Sequence, residues 1–142
     1  MTATENTLSR SCAQDHTVIR ATDLAAMTNF YIRVLGLNLD RHVPEMGLVH
    51  LRAGRSMIDL ISVSGTLGAP GGAAPGSEGR NLDHLCLRIE PFDETALRAR
   101  FAAHGVALSE IHNNYGAEGT GPSVYLQDPE GNVIELKGPS RG

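Results

Sequence analysis

Asp15-His16-Thr17-Val18-Ile19-Arg20 and Asp83-His84-Leu85-Cys86-Leu87-Arg88 decide the fold, because the second stretch repeats the first as D-H-x-x-x-R with strand-forming residues in the middle. Each is followed by an aspartate, Asp23 or Asp93, whose carboxylate can accept from the orphan N–H groups of a helix's first turn. Each helical pattern then stops at Gly36 or Gly105, thirteen and twelve residues after its cap, where a left-handed residue ends a helix at little cost. Leu24, Met27, Tyr31, Val34 and Leu35 make the apolar stripe of the first helix, and Leu97 and Phe101 that of the second.

Three strand-like stretches follow each helix. In the first half they are roughly 38–43, 47–53 and 57–63, with Ala53-Gly54-Arg55-Ser56 as the last turn. In the second half they are roughly 106–112, 123–127 and 132–137, with Asp128-Pro129-Glu130-Gly131 as the closing turn. The expected fold is α+β: two tandem βαβββ modules forming a curved mixed-sheet cup with the helices on its outer face. The first module covers about 15–63 and the second about 82–138, within one domain at 15–138. A glycine-rich linker or lid at 64–81 joins them; Gly65 to Arg80 holds six glycines and two prolines in sixteen residues. Residues 1–14 read as a flexible tail and 139–142 as a short C-terminal tail.

The bulk composition narrows the function. Net charge is −4 without a Lys/Arg stripe, so a nucleic-acid partner is not expected. No apolar run approaches a membrane span, and the polar N-terminus lacks a signal-peptide core; the expected location is cytoplasmic. Two cysteines, Cys12 and Cys86, make neither a disulfide framework nor a C-x-x-C pair.

Strand alternation then selects the site. His16, Val18 and Arg20 share one face of the first strand, and His84, Cys86 and Arg88 share the equivalent face in the second half. In the closing strands Ile58 and Leu60, like Ile134 and Leu136, belong under a helix, which turns Asp59 and Glu135 toward the concave side. A carboxylate in mid-strand among apolar neighbours must be hydrogen-bonded, paired or bound to a cation. Each half thus offers one histidine and one carboxylate to a common centre.

Asp15-His16, Phe30-Tyr31-x-x-Val34-Leu35-Gly36-Leu37, Asp83-His84 and Asp128-Pro129-Glu130-Gly131-Asn132-x-Ile134-Glu135-Leu136 together resemble the vicinal oxygen chelate superfamily. That group includes glyoxalases, bleomycin-resistance proteins and extradiol dioxygenases, and the likeness covers about residues 15–138. It implies a divalent ion (Zn, Ni, Co, Mn or Fe(II)) on His16, His84 and Glu135, with a fourth position on Asp59. Asp59 departs from the usual residue types there and is about 1.5 Å shorter than Glu. It is either a direct ligand or a carboxylate hydrogen-bonded beside the ligands.

With Asp59 as a ligand, the expected function is glyoxalase- or epimerase-like proton transfer on a small substrate with two adjacent oxygens, Glu135 acting as the base. Without it, a 2-His-1-carboxylate triad suits a small Fe(II) extradiol dioxygenase acting on catechols. A drug- or metabolite-sequestering protein of the bleomycin-resistance type is the non-enzymatic alternative. Arg20 and Arg88, on the ligand faces, are either substrate-binding or engaged in surface ion pairs; His112 and Tyr115 are further substrate-binding candidates near the rim. His42, His50 and His104 are expected to be surface or structural residues. The partners are a small-molecule substrate and a second copy of the chain, since open sheets have edge strands to cover.

Overall fold

The computed structural model of the chain describes residues 9–142, so the first eight residues of the expected tail lie outside the described residues. The elements run β1 (His16–Ala21), α1 (Leu24–Asn29), β2 (Asn38–Val43), β3 (Leu48–Ala53) and β4 (Ser56–Ser62), then β5 (Leu85–Arg88), α2 (Glu94–Ala103), β6 (His112–Gly116), β7 (Gly119–Gln127) and β8 (Val133–Lys137). They form two four-stranded sheets of matching order, β1-β4-β3-β2 and β5-β8-β7-β6. In each, the first strand runs parallel to the last and the other pairings are antiparallel. These are the two expected βαβββ modules, and β1 and β5 are their equivalent edges.

The capping logic holds in both halves. Asp23 accepts from the Ala26 N–H at 3.0 Å and Asp93 from the Ala96 N–H at 3.1 Å. Gly36 and Gly105 end the helical segments with φ of +80° and +69°, where a side chain would be strained. The first helix is not α-helical throughout: Phe30–Val34 form a π turn, with the Leu35 N–H reaching back to the Phe30 carbonyl. Widening the turn changes the side-chain phase, so the consecutive Phe30 and Tyr31 are both buried.

One apolar core serves both modules. Ile19, Met27, Tyr31, Ile58 and Leu60 of the first join Phe101, Val124, Leu126, Ile134 and Leu136 of the second. Polar clamps cross between the halves. The Tyr31 hydroxyl donates to Asp128 at 2.8 Å, the Glu130 carboxylate accepts from the Thr22 and Asp23 N–H groups at 2.8 Å each, and Arg100 donates to the Val34 carbonyl at 2.8 Å. The Asp128-Pro129-Glu130-Gly131 turn therefore caps the entrance of the first module's helix as well as closing the last hairpin.

Two sequence expectations need correction. Residues 106–111 are not a strand; they cross to β7 irregularly, with Ser109 donating its N–H to the Tyr125 carbonyl and accepting the Tyr125 N–H at its hydroxyl. Val106, Leu108 and Ile111 still pack on the core, which explains their strand-like pattern. The strand is instead His112–Gly116, and its partner begins at Gly119, four residues before the expected Ser123, despite its glycines and Pro122. At Gly121 a Cβ would lie 2.7 Å from the Pro139 carbonyl oxygen, so the close backbone approach demands glycine there.

The first half of the inter-module connection is also held in place. The Arg20 guanidinium donates to the carbonyls of Gly68 and Ala73 at 3.1 Å each, and to that of Gly72 between them. No helix among the described residues is long and apolar enough to cross a membrane.

Candidate functional site

Register places the four sequence-selected residues on the faces turned away from the core. In the parallel β1–β4 pair Val18 lies opposite Asp59, and in β5–β8 Cys86 lies opposite Glu135. Partners across a ladder share a face, so His16, two residues before Val18, and His84, two before Cys86, lie beside these carboxylates. The His16 Nε2 is 3.8 Å from Asp59 Oδ2, and the His84 Nε2 is 3.1 Å from Glu135 Oε1. The carboxylate side chains are almost wholly buried, at 6% and 7% exposure, while the imidazoles are 43% and 34% exposed. Each pair is thus a fixed acid beneath an accessible base.

The repeated D-H dipeptide has a physical role in both halves. Asp15 accepts from His16 Nδ1 at 2.6 Å, and Asp83 from His84 Nδ1 at 2.8 Å. A proton fixed on Nδ1 makes Nε2, on the carboxylate side, the lone-pair atom whenever the ring is neutral, the arrangement that orients metal-binding histidines. The Asp15 hydrogen bond, reinforced by the charges of Asp59 and Asp15 against burial, holds His16 above its ordinary pKa of 6.5.

Glu135 is the more elaborately held acid. Ser123 donates to its Oε2 at 2.6 Å and Asn114 to the same oxygen at 3.1 Å, leaving Oε1 toward His84. Burial alone would raise its pKa, but the hydrogen bonds from Ser123, Asn114 and Tyr125, with the charge of His84, outweigh it and hold Glu135 below the ordinary carboxylate value. Tyr125 lies opposite Glu135 in the β7–β8 ladder, and its ring meets those of His84 and His112 edge-on at 5.6 Å. Burial, followed by the charge of Glu135, raises its phenol. The same two influences push the Cys86 thiol up to about 11, which keeps it protonated and unsuited to nucleophilic work.

The remaining candidates divide. His112 is on the Glu135 face, against Tyr125. Tyr115 is not: alternation along β6 turns it away from Asn114, and it stands 85% exposed, so Asn114 occupies the place expected of Tyr115. Arg20 is engaged by the connection's carbonyls, and Arg88 by Glu118 at 2.6 Å and Glu90 at 3.6 Å. The structure therefore gives both arginines protein partners.

Sequence reasoning missed His50, Ser123, Asn114 and Tyr125. His50 donates from Nδ1 to Asp59 Oδ1 at 2.8 Å, directly across the β3–β4 ladder. The signal was present in Gly54-Arg55: a two-residue turn pairs Ala53 with Ser56 and so must pair His50 with Asp59.

The four selected residues do not form one centre within a chain. Among the described residues, no three His, Cys, Asp or Glu side chains converge as an ion site. His16 and His84 border a common cavity of about 340 Å³ with Gln14, Ser56, Met57 and Cys86, but Asp59 and Glu135 do not line it. What the fold builds is two half-sites of like design, each an Asp-oriented imidazole facing the free oxygen of an anchored carboxylate.

The whole chain has relatives of known fold. The sequence profile of the Glyoxalase/Bleomycin resistance protein/Dioxygenase superfamily matches residues 13–136. The chain belongs to that superfamily. Solved structures share the fold over nearly the whole chain. Lactoylglutathione lyase from Agrobacterium tumefaciens is 28% identical, with 91% of this chain and 95% of that one covered and a TM-score of 0.67. A protein from the mobile metagenome of V. pseudocholerae, VPC_CASS1, is 24% identical, at 94% and 99% coverage and TM-score 0.73. The fosfomycin resistance protein FosX from Listeria monocytogenes is 14% identical, at 93% and 97% coverage and TM-score 0.65. A comparison with curated proteins found no match.

Proposed function

We propose that this superfamily member is a metal-dependent enzyme of glyoxalase or epimerase type, moving a proton on a small substrate that presents two adjacent oxygens. The observation that carries the reading is Asp59: a second buried carboxylate, with one oxygen free and facing the Nε2 of His16. The donors fit a divalent first-row ion, since two oriented imidazoles and two carboxylates are its preferred company. The 3.1 Å separation in the His84–Glu135 pair is that of neighbouring ligands at the usual lengths of about 2.0–2.2 Å, and the 3.8 Å of the His16–Asp59 pair would close by a few tenths of an ångström to reach it. His16, Asp59, His84 and Glu135 would hold the ion.

We further propose that the functional unit is a homodimer in which the His16–Asp59 pair of one copy meets the His84–Glu135 pair of another. The half-sites sit beside β1 and β5, each hydrogen-bonded on one side only within its sheet. Val18, 46% exposed on β1, and the exposed Cys86 on β5 lie on these edges.

In such a site an ion supplies Lewis acidity, stabilising charge on a bound carbonyl oxygen and acidifying the adjacent C–H. Glu135 would be the base: with Oε2 held by Ser123 and Asn114, Oε1 would give up its place on the ion to take the proton and return it to the neighbouring carbon. Its lowered pKa keeps it ionised and ready at neutral pH. The relative named lactoylglutathione lyase suggests the first substrate to try. The metal-loaded protein should exchange the proton next to the carbonyl of S-lactoylglutathione, or of a related small thioester, with deuterium from D2O, and Glu135→Gln should abolish exchange. Ring opening of catechols by the Fe(II)-loaded protein, without such exchange, would replace this reading with a dioxygenase.

A further inference from the structure

Asp59 and Glu135 hold equivalent places in their modules, yet they are fixed differently. Glu135 takes two donors on Oε2, one from the neighbouring β7 and one from β6 beyond it. Asp59 has the shorter arm, and its only hydrogen-bond partner among the described residues is the Nδ1 of His50, at 2.8 Å on Oδ1. A carboxylate offers only acceptors, so the imidazole must be the donor and its Nδ1 must carry a proton. His50 is directly opposite Asp59 in the ladder, the register place that Tyr125 takes opposite Glu135. Its side chain is only 18% exposed, so neighbouring strands hold the ring.

The consequence lies at the other oxygen. With Oδ1 tied to His50, Asp59 cannot rotate to present both oxygens, and Oδ2 alone is left toward His16.

We infer that His50 is a positioning residue: by holding Oδ1 of Asp59 it fixes Oδ2 beside His16 Nε2 as a one-oxygen fourth donor. This rests on the metal-binding reading above. His50 itself touches neither the ion nor the substrate.

The experiment measures affinity of the full-length protein for Zn(II) and Co(II) by competition with a chromophoric chelator, together with the visible spectrum of the Co(II) form. His50→Ala should weaken affinity about 10- to 100-fold, the usual effect of removing a residue that orients a ligand. His50→Asn, whose amide N–H stands near the position of Nδ1, should retain affinity within a few-fold and leave the Co(II) bands unchanged. Asp59→Asn should weaken binding as His50→Ala does, and the double variant should be no weaker than Asp59→Asn alone. Unchanged affinity in His50→Ala, when His16→Ala has lost binding, overturns the inference and leaves the functional reading standing. So does loss in His50→Asn with altered Co(II) bands, which would make His50 a ligand. A wild-type chain that binds neither ion removes both.

Discussion

Replacing Tyr31 by Phe removes one oxygen from the middle of the molecule and nothing else. The side chain is fully buried and its hydroxyl donates to Asp128 Oδ2 at 2.8 Å, joining the first module's helix to the closing turn of the second. A hydrogen bond to a charged group contributes about 1.5–3 kcal/mol. The lower part of that range applies, because Asp128 keeps donors from the Glu130 N–H, the Asn132 N–H and the Asn132 side chain. An expected loss of about 1.5–2 kcal/mol corresponds to roughly 5–7 °C in melting temperature for a chain of this length, at about 2.1 cal/mol/K per residue. Calorimetry on the two proteins at one concentration provides the assay. A Tyr31→Phe protein melting within about 1 °C of the wild type would show that this bond does not couple the modules.

Acid should act through Glu135. Its folded pKa lies below the ordinary 4.5, so the stability it contributes is present above that value and is lost as pH falls through the folded pKa. Urea midpoints should therefore fall on acidification below about pH 5, and Glu135→Gln should flatten this dependence; an equally steep fall in the variant would assign it elsewhere. Ion uptake should also weaken on acidification from above 6.5, because His16 holds its proton there; Asp15→Asn should move that loss to lower pH, and an unmoved profile would contradict the role given to the D-H dipeptide. In solution, light scattering over a range of concentrations should give a mass about twice the 15.1 kDa of one chain, whereas a steady single-chain mass rules out the dimer.

The fold was legible because local signals agreed with one another. Asp23 and Asp93 cap, Gly36 and Gly105 stop, and alternation in β1 and β4 puts Ile19, Ile58 and Leu60 in the core with His16 and Asp59 on the other face. Signals that depend on tertiary contact were harder to read. The stretch 106–111 alternates like a strand because Val106 and Leu108 meet the core, although its polar groups are satisfied through Ser109. Arg20 looked available for a substrate because nothing local reveals that the glycine-rich connection folds back onto it. The pairing of each histidine with its carboxylate follows from register alone. Whether the two pairs meet depends on how whole modules dock, which no strand pattern encodes.

Complementation between His16→Ala and His84→Ala tests the shared site most directly. Each variant alone should lose tight binding of a divalent ion. Unfolded together and refolded as a mixture, or co-expressed, they should regain it, because a mixed dimer contains one site with both histidines intact beside one lacking both. Recovery of ion binding in the mixed dimer is the expected result. Full occupancy in either variant alone, or no recovery in the mixture, would contradict the account.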